Sequence, residues 1–139
     1  MRAISRFLVL FAVLLGGLVG VASAQDKAPL FINLTSDDPH RASMGLMFGK
    51  NQLERGHKLT VFLNDRAVNL GSKANSARFS EHQKMIAELM GKGATLLICS
   101  FCMKHYGVKE GDLLAGLKIG NPEATGGALF EPNARSLTW

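Results

Sequence analysis

The stretch Ala94-Thr-Leu-Leu-Ile-Cys-Ser-Phe-Cys-Met-Lys-His-Tyr-Gly107 decides the fold of this chain. Ala94 to Ile98 is an apolar run bounded by glycine, the pattern of a strand covered on both faces of a sheet. It runs into a short helical segment that Ser100 can cap and Gly107 can end. In an open α/β sheet, ligands and chemistry gather at the carboxyl ends of the strands. Cys99 and Cys102 are the only cysteines of the chain, and they fall at such an end. The free N–H groups and partial positive charge at a helix start favour a thiolate over a thiol. Two thiols two residues apart at this place are a candidate reactive centre. The same pair also suits a buried structural cysteine with a helical neighbour, or a static disulfide.

The pattern repeats on either side of this stretch. Upstream, Leu30-Phe-Ile-Asn-Leu34 reads as a first strand, and Asp38-Pro39 places an N-cap and a first-turn proline before a helix to Arg55. Gly56 stops that helix, and Ala42, Leu46, Gly49 and Leu53 share its sheet-facing side. Lys58 to Asn64 is the second strand. Ser80-Glu-His-Gln83 is a capping box for a helix that buries Met85, Ile86 and Leu89 and ends at Gly91. Downstream, Leu117-Lys-Ile119 is a fourth strand, Asn121-Pro122 opens a helix through Gly126-Gly127, and Arg135 to Trp139 is a fifth strand. Strands alternating with helices predict a three-layer α/β/α domain around a mostly parallel sheet of about five strands.

Parallel strands send every following segment to the edge that carries Cys99. Those segments are Thr35-Ser36-Asp37, residues 65–79 and Gly120-Asn121-Pro122. Residues 65–79 show no evident element, and loops of that length in compact domains are usually functional or disordered. They carry Arg66, Lys73 and Arg78, cations that could face a thiolate or an anionic sulfur species. Thr35, Ser36, Arg78 and His105 are the candidate substrate-binding residues beside Cys99 and Cys102.

The first 24 residues read as a signal peptide: Arg2 and Arg6, an apolar run from Phe7 to Val21, and the small-x-small site Ala22-Ser23-Ala24. The expected mature product is residues 25–139, one domain, soluble in a bacterial periplasm and free of the membrane after cleavage. Loss of Arg2 and Arg6 lowers the formal charge from +5 to +3. That surplus is scattered among acidic residues, with few aromatic side chains to stack bases, so nucleic-acid binding is not indicated. Export places both thiols in an oxidising compartment.

Other chemistries find less support. Cys99, Cys102 and His105 could be three ligands of a soft metal, with a fourth from His82, Met85 or another subunit. His105 is equally at home near the carboxyl end of its helix, and no metal is assigned. Methionines 44, 47, 85 and 90 have the spacing of buried helix faces. Met103 stands where haem attachment needs a histidine. Cys-x-x-Cys after a third strand, with only Pro122 and Pro132 downstream, does not fit a thioredoxin. No organic cofactor is implied.

The chain resembles the DsrE/DsrF-like (YchN/TusD-like) sulfur-relay family from Leu30 to Trp139. The resemblance is carried by the strand ending Asn33-Leu-Thr-Ser, the helix ending Gly56-His, and Val61-Phe-Leu with Val68 after it. It continues in Ile98-Cys99 with Gly107-Val108 eight residues on, then Asp112-Leu-Leu and a final short strand. It implies an α/β/α domain that assembles as a trimer or hexamer, with Phe130 and Leu137–Trp139 in subunit contacts. In TusD-like members the sulfur-carrying cysteine stands where Cys99 stands here. The resemblance therefore implies a persulfide-carrying or thiol-redox role for Cys99, with Cys102 as second thiol and a sulfur donor or acceptor protein as partner. Relay members act in the cytoplasm, so an exported protein shares the chemistry without the same partners. The reading from another class is a non-enzymatic oligomeric binding protein with a structural disulfide or soft-metal site.

Overall fold

A computed structural model describes residues 27–139. The expected signal peptide, residues 1–24, and its cleavage site lie outside the described residues.

Five strands form one sheet in the order β4-β3-β2-β1-β5, and every neighbouring pair is parallel. They are β1 (Leu30–Leu34), β2 (Leu59–Leu63), β3 (Thr95–Cys99), β4 (Lys118–Gly120) and β5 (Arg135–Thr138). Each step from β1 to β4 moves one place across the sheet, and β5 returns to the far side of β1. Ile32, Leu34, Val61, Leu63, Leu96 and Ile98 point to one face and are buried. On that face lie α1 (Pro39–Glu54) and α2 (Ser76–Gly91), packed on the strands and on each other. Each fully buried Leu or Ile contributes about 1.5–3 kcal/mol of burial free energy, so this face is the main stabilising layer. The opposite face carries Phe31, Asn33 and Phe62 and is roofed by α4 (Pro122–Leu129). The result is the expected three-layer α/β/α fold.

Local signals set most boundaries. Asp38 caps α1, its carboxylate accepting the Arg41 N–H at 2.9 Å, with Pro39 in the first turn. Asn121 does the same for α4 through the Ala124 N–H at 2.7 Å, and that helix extends to Leu129 rather than stopping at Gly126-Gly127. Ala42, Leu46 and Gly49 are buried as their spacing requires.

Three readings need correction here. Residues 65–79 are not an open loop: they fold into 3₁₀ turns at Asp65–Gly71 and Lys73–Asn75 and the first turn of α2. Ala67, Val68 and Leu70, apolar side chains of that segment itself, are buried in the core and are the cause. The capping box at Ser80 does not form. α2 starts at Ser76 and bends at Phe79 (φ −122°), and the Gln83 amide donates to the Ser72 carbonyl at 2.8 Å while its oxygen accepts the Ser76 hydroxyl at 2.8 Å. α2 does end at Gly91, with Lys92 as its C-cap. Met44 and Met47 are not core residues; they are exposed on the outer side of α1.

Candidate thiol site at the carboxyl edge of the sheet

β3 ends at Cys99 and α3 (Ser100–Tyr106) begins at once. Ser100 was the expected cap, but Cys99 itself takes that place. Its backbone is extended (φ −72°, ψ 110°), and its Sγ accepts the Cys102 N–H at 3.1 Å. A cap lies one residue before the first helical residue, and here the strand's last residue fills both roles. Gly107 closes α3 with φ +72°, a left-handed position that glycine adopts without a Cβ clash.

Both cysteines are half-buried free thiols. Their hydrogen bonds differ in sense. Cys99 sulfur accepts the Cys102 N–H. Cys102 sulfur donates its S–H to Asn64 Oδ1 at 3.0 Å, which favours the thiol. Burial first, and then the neighbouring Cys99 sulfur, push the Cys102 thiol above its ordinary range; an Asp65 backbone hydrogen bond opposes them by less. The two thiols are thus chemically distinct although three residues apart.

The turn after β2 holds the site together with three consecutive side chains. Asn64 holds Cys102. Asp65 accepts a hydrogen bond from the Tyr106 hydroxyl, which pushes the Tyr106 phenol upward. Arg66 Nε donates to Asp37 Oδ1 at 3.0 Å, and Asn69 donates to the other Asp37 oxygen at 3.1 Å. Burial of Asp37 disfavours its charge, but these hydrogen bonds outweigh that and hold its carboxyl below the usual value of 3.8. Asp65 has φ +46°, a left-handed conformation that costs a non-glycine residue about 1 kcal/mol. Cys102, Asp65, Phe101, His105 and Tyr106 line a shallow cleft of about 260 Å³. Phe101 stands beside it, 81% exposed.

The candidate substrate-binding residues separate into two groups. His105 joins Cys102: it lines that cleft, and its ring meets Tyr106 edge-on at 4.7 Å. The other three do not reach the thiols. Thr35 Oγ1 donates to the Trp139 carbonyl at 2.6 Å and ties down the chain end, and Ser36 Oγ accepts the Asp38 N–H at 3.0 Å at the entry to α1. Arg78 stacks on the Phe79 ring at 4.8 Å, within electrostatic reach of Asp37. Among the described residues, no group of three or more His, Cys, Asp or Glu side chains is arranged to hold a metal ion. Asn64, Asp65 and Tyr106 were missed as site residues. A signal existed for Asn64, a polar side chain at the carboxyl end of a central strand; none existed for Tyr106, whose role depends on where α3 lies.

A profile of the DsrE/DsrF-like family matches residues 27–132. The uncharacterized protein MJ0989 of Methanocaldococcus jannaschii is 29% identical over 80 residues, covering 57% of this chain and 70% of that protein. The uncharacterized protein MK0008 of Methanopyrus kandleri is 24% identical over 102 residues, 73% of this chain and 84% of its own. Among solved structures, the ychN protein from E. coli superposes with TM-score 0.67 at 18% identity, covering 81% of this chain and 99% of that one. The protein of unknown function MTH1491 from Methanobacterium thermoautotrophicum gives 0.62 at 16% identity, with the same coverage. At these identities the two structures speak for the fold.

Proposed function

This chain belongs to the DsrE/DsrF-like family, and from that premise we propose that it is an exported sulfur-relay protein carrying persulfide on Cys99. The observation that carries the reading is the opposite sense of the two sulfur hydrogen bonds, N–H to Cys99 and S–H from Cys102. A thiolate is the attacking species in sulfur exchange, and Cys99 is the sulfur that accepts a hydrogen bond while Cys102 has its S–H engaged. The Cys99 thiolate attacks the outer sulfur of an organic persulfide or inorganic polysulfide. A Cys99 S–S bond forms, the donor's S–S bond breaks, and the donor leaves as a thiolate or shortened polysulfide. An acceptor thiol then takes the sulfur, or Cys102 displaces it as sulfide by closing a disulfide. His105 and Tyr106 line the cleft beside Cys102, the second thiol. The partners are other copies of the chain, as a trimer or hexamer, and a donor or acceptor protein of the periplasm.

Mass spectrometry of protein treated with polysulfide tests this. One added sulfur should appear on wild type, disappear in Cys99→Ser, and persist longer in Cys102→Ser. Full loading of Cys99→Ser overturns the assignment. Equal, slow alkylation of both thiols at mildly acidic pH favours instead a binding protein with a structural cysteine pair.

A further inference from the structure

Asn64 stands outside β2 by one residue, and its side chain does three things at once. Its Oδ1 accepts the Asp65 N–H at 2.9 Å and the Cys102 S–H at 3.0 Å, while its Nδ2 reaches Asn33 Oδ1 at 3.4 Å. Of the two Asn64 amide atoms only the oxygen can accept the Asp65 N–H, so Oδ1 faces Cys102 and the Cys102 S–H is the donor. Asp65 holds a left-handed backbone conformation (φ +46°) directly behind this contact, and Tyr106 from the Cys102 helix is hydrogen-bonded to its carboxylate. Helix α3 is therefore tied to the β2 turn twice, once through the Cys102 sulfur and once through Tyr106. The Asn64 side chain also borders the apolar cleft of about 420 Å³ beneath α4, so one side of it has room to turn.

The geometry points to Asn64 as a positioning residue for the thiol pair: it parks Cys102 as a neutral thiol beside Cys99 and so delays the resolving step. The inference rests on the reading that Cys99 carries a persulfide, and it assigns the control of that persulfide's lifetime. In the resolving step Cys102 releases its proton to solvent and its thiolate attacks Cys99 Sγ. The bond from Cys99 Sγ to the outer sulfur breaks and the outer sulfur leaves as HS⁻. The product is a Cys99–Cys102 disulfide; no oxidant is consumed, and an external dithiol restores both thiols. While Asn64 holds the S–H, an acceptor thiol has first access to the outer sulfur.

The test is the pH profile of alkylation at each cysteine, read by peptide mass spectrometry on the otherwise unchanged protein, with no sulfur donor present. Asn64→Ala removes the acceptor and should move the Cys102 profile to lower pH, speeding its alkylation at fixed pH about three- to tenfold. Asn64→Asp keeps the shape and the acceptor for the Asp65 N–H but adds a charge, and should move the Cys102 profile to higher pH. Opposite shifts are the signature, because a merely structural role would move both variants the same way or neither. If Asn64→Ala does not fold, Asn64→Asp decides alone, and an unmoved or lowered Cys102 profile in it overturns the inference. In polysulfide-loaded protein, sulfide release should be faster in Asn64→Ala and slower in Asn64→Asp. Failure of wild type to load would remove the persulfide reading, while opposite alkylation shifts would still establish what Asn64 does to Cys102.

Discussion

Asp37 shows how single side chains hold this edge of the sheet. It is 5% exposed, yet it carries a charge, because Arg66 and Asn69 supply a donor to each of its oxygens. A buried carboxylate without such partners would be strongly disfavoured. The folded value lies below 3.8, so its contribution to stability is complete above 3.8 and is lost as pH falls through the folded value. Arg66 is 59% exposed, so solvent screens the pair and its worth is modest. Asp37→Ala should cost about 1–2 kcal/mol near neutral pH in urea unfolding. The gap from wild type should narrow as pH is taken below 3.8 toward the folded value. A constant gap across that window would mean the carboxylate charge is not what Asp37 contributes.

At the scale of elements, packing overrides local preference in the segment between β2 and α2. Gly71 ends the first 3₁₀ turn against the sheet, and a Cβ there would lie 2.9 Å from both Ile98 Cδ1 and Leu117 Cδ1. Ile98 is fully buried and has little room to yield. Gly71→Val should therefore lower stability by about 1–3 kcal/mol through overpacking. Gly91 gives the control: it lies in the last turn of α2, and nothing stands within 4 Å of a Cβ built there. Gly91→Ala should be neutral or stabilising by up to about 1 kcal/mol from helix propensity. Thermal melts of the two variants should move in opposite directions; equal losses would show that the 3₁₀ segment yields to the added side chain. The bend at Phe79 belongs to the same balance. Phe79 is 2% exposed, and anchoring it places the bend one residue before Ser80, where the helix resumes.

At the scale of the whole molecule, the α4 side of the sheet is covered thinly. Phe130 is 81% exposed, and Leu129 and Leu137 are 37% exposed each, around the cleft that Phe31 and Phe62 line. Trp139 packs on Phe48 at 5.5 Å and its backbone closes the chain end onto β1. No helix among the described residues is long and apolar enough to cross a membrane. A closed ring of subunits would cover the exposed apolar side chains. Protein recovered from a periplasmic extract should begin at or near Gln25 and scatter light as three or six chains. A monomer at tens of micromolar would remove the assembly, and retention of residues 1–24 on membranes would remove the export.

The sequence by itself determined the α/β class, the strand order along the chain, the caps at Asp38 and Asn121, the stop at Gly107, and the placing of both cysteines at a strand end. These depend on hydrophobic period, capping chemistry and glycine positions, which act within a few residues and can be read one segment at a time. The tertiary structure decided what the thiols touch. Cys99 as its own helix cap, the S–H of Cys102 on Asn64, Tyr106 on Asp65 and Arg66 on Asp37 join residues from separate strands and helices. Asn64 lies 38 residues before the sulfur it binds. No spacing encodes that contact, because it exists only once parallel pairing has brought the ends of β2 and β3 side by side.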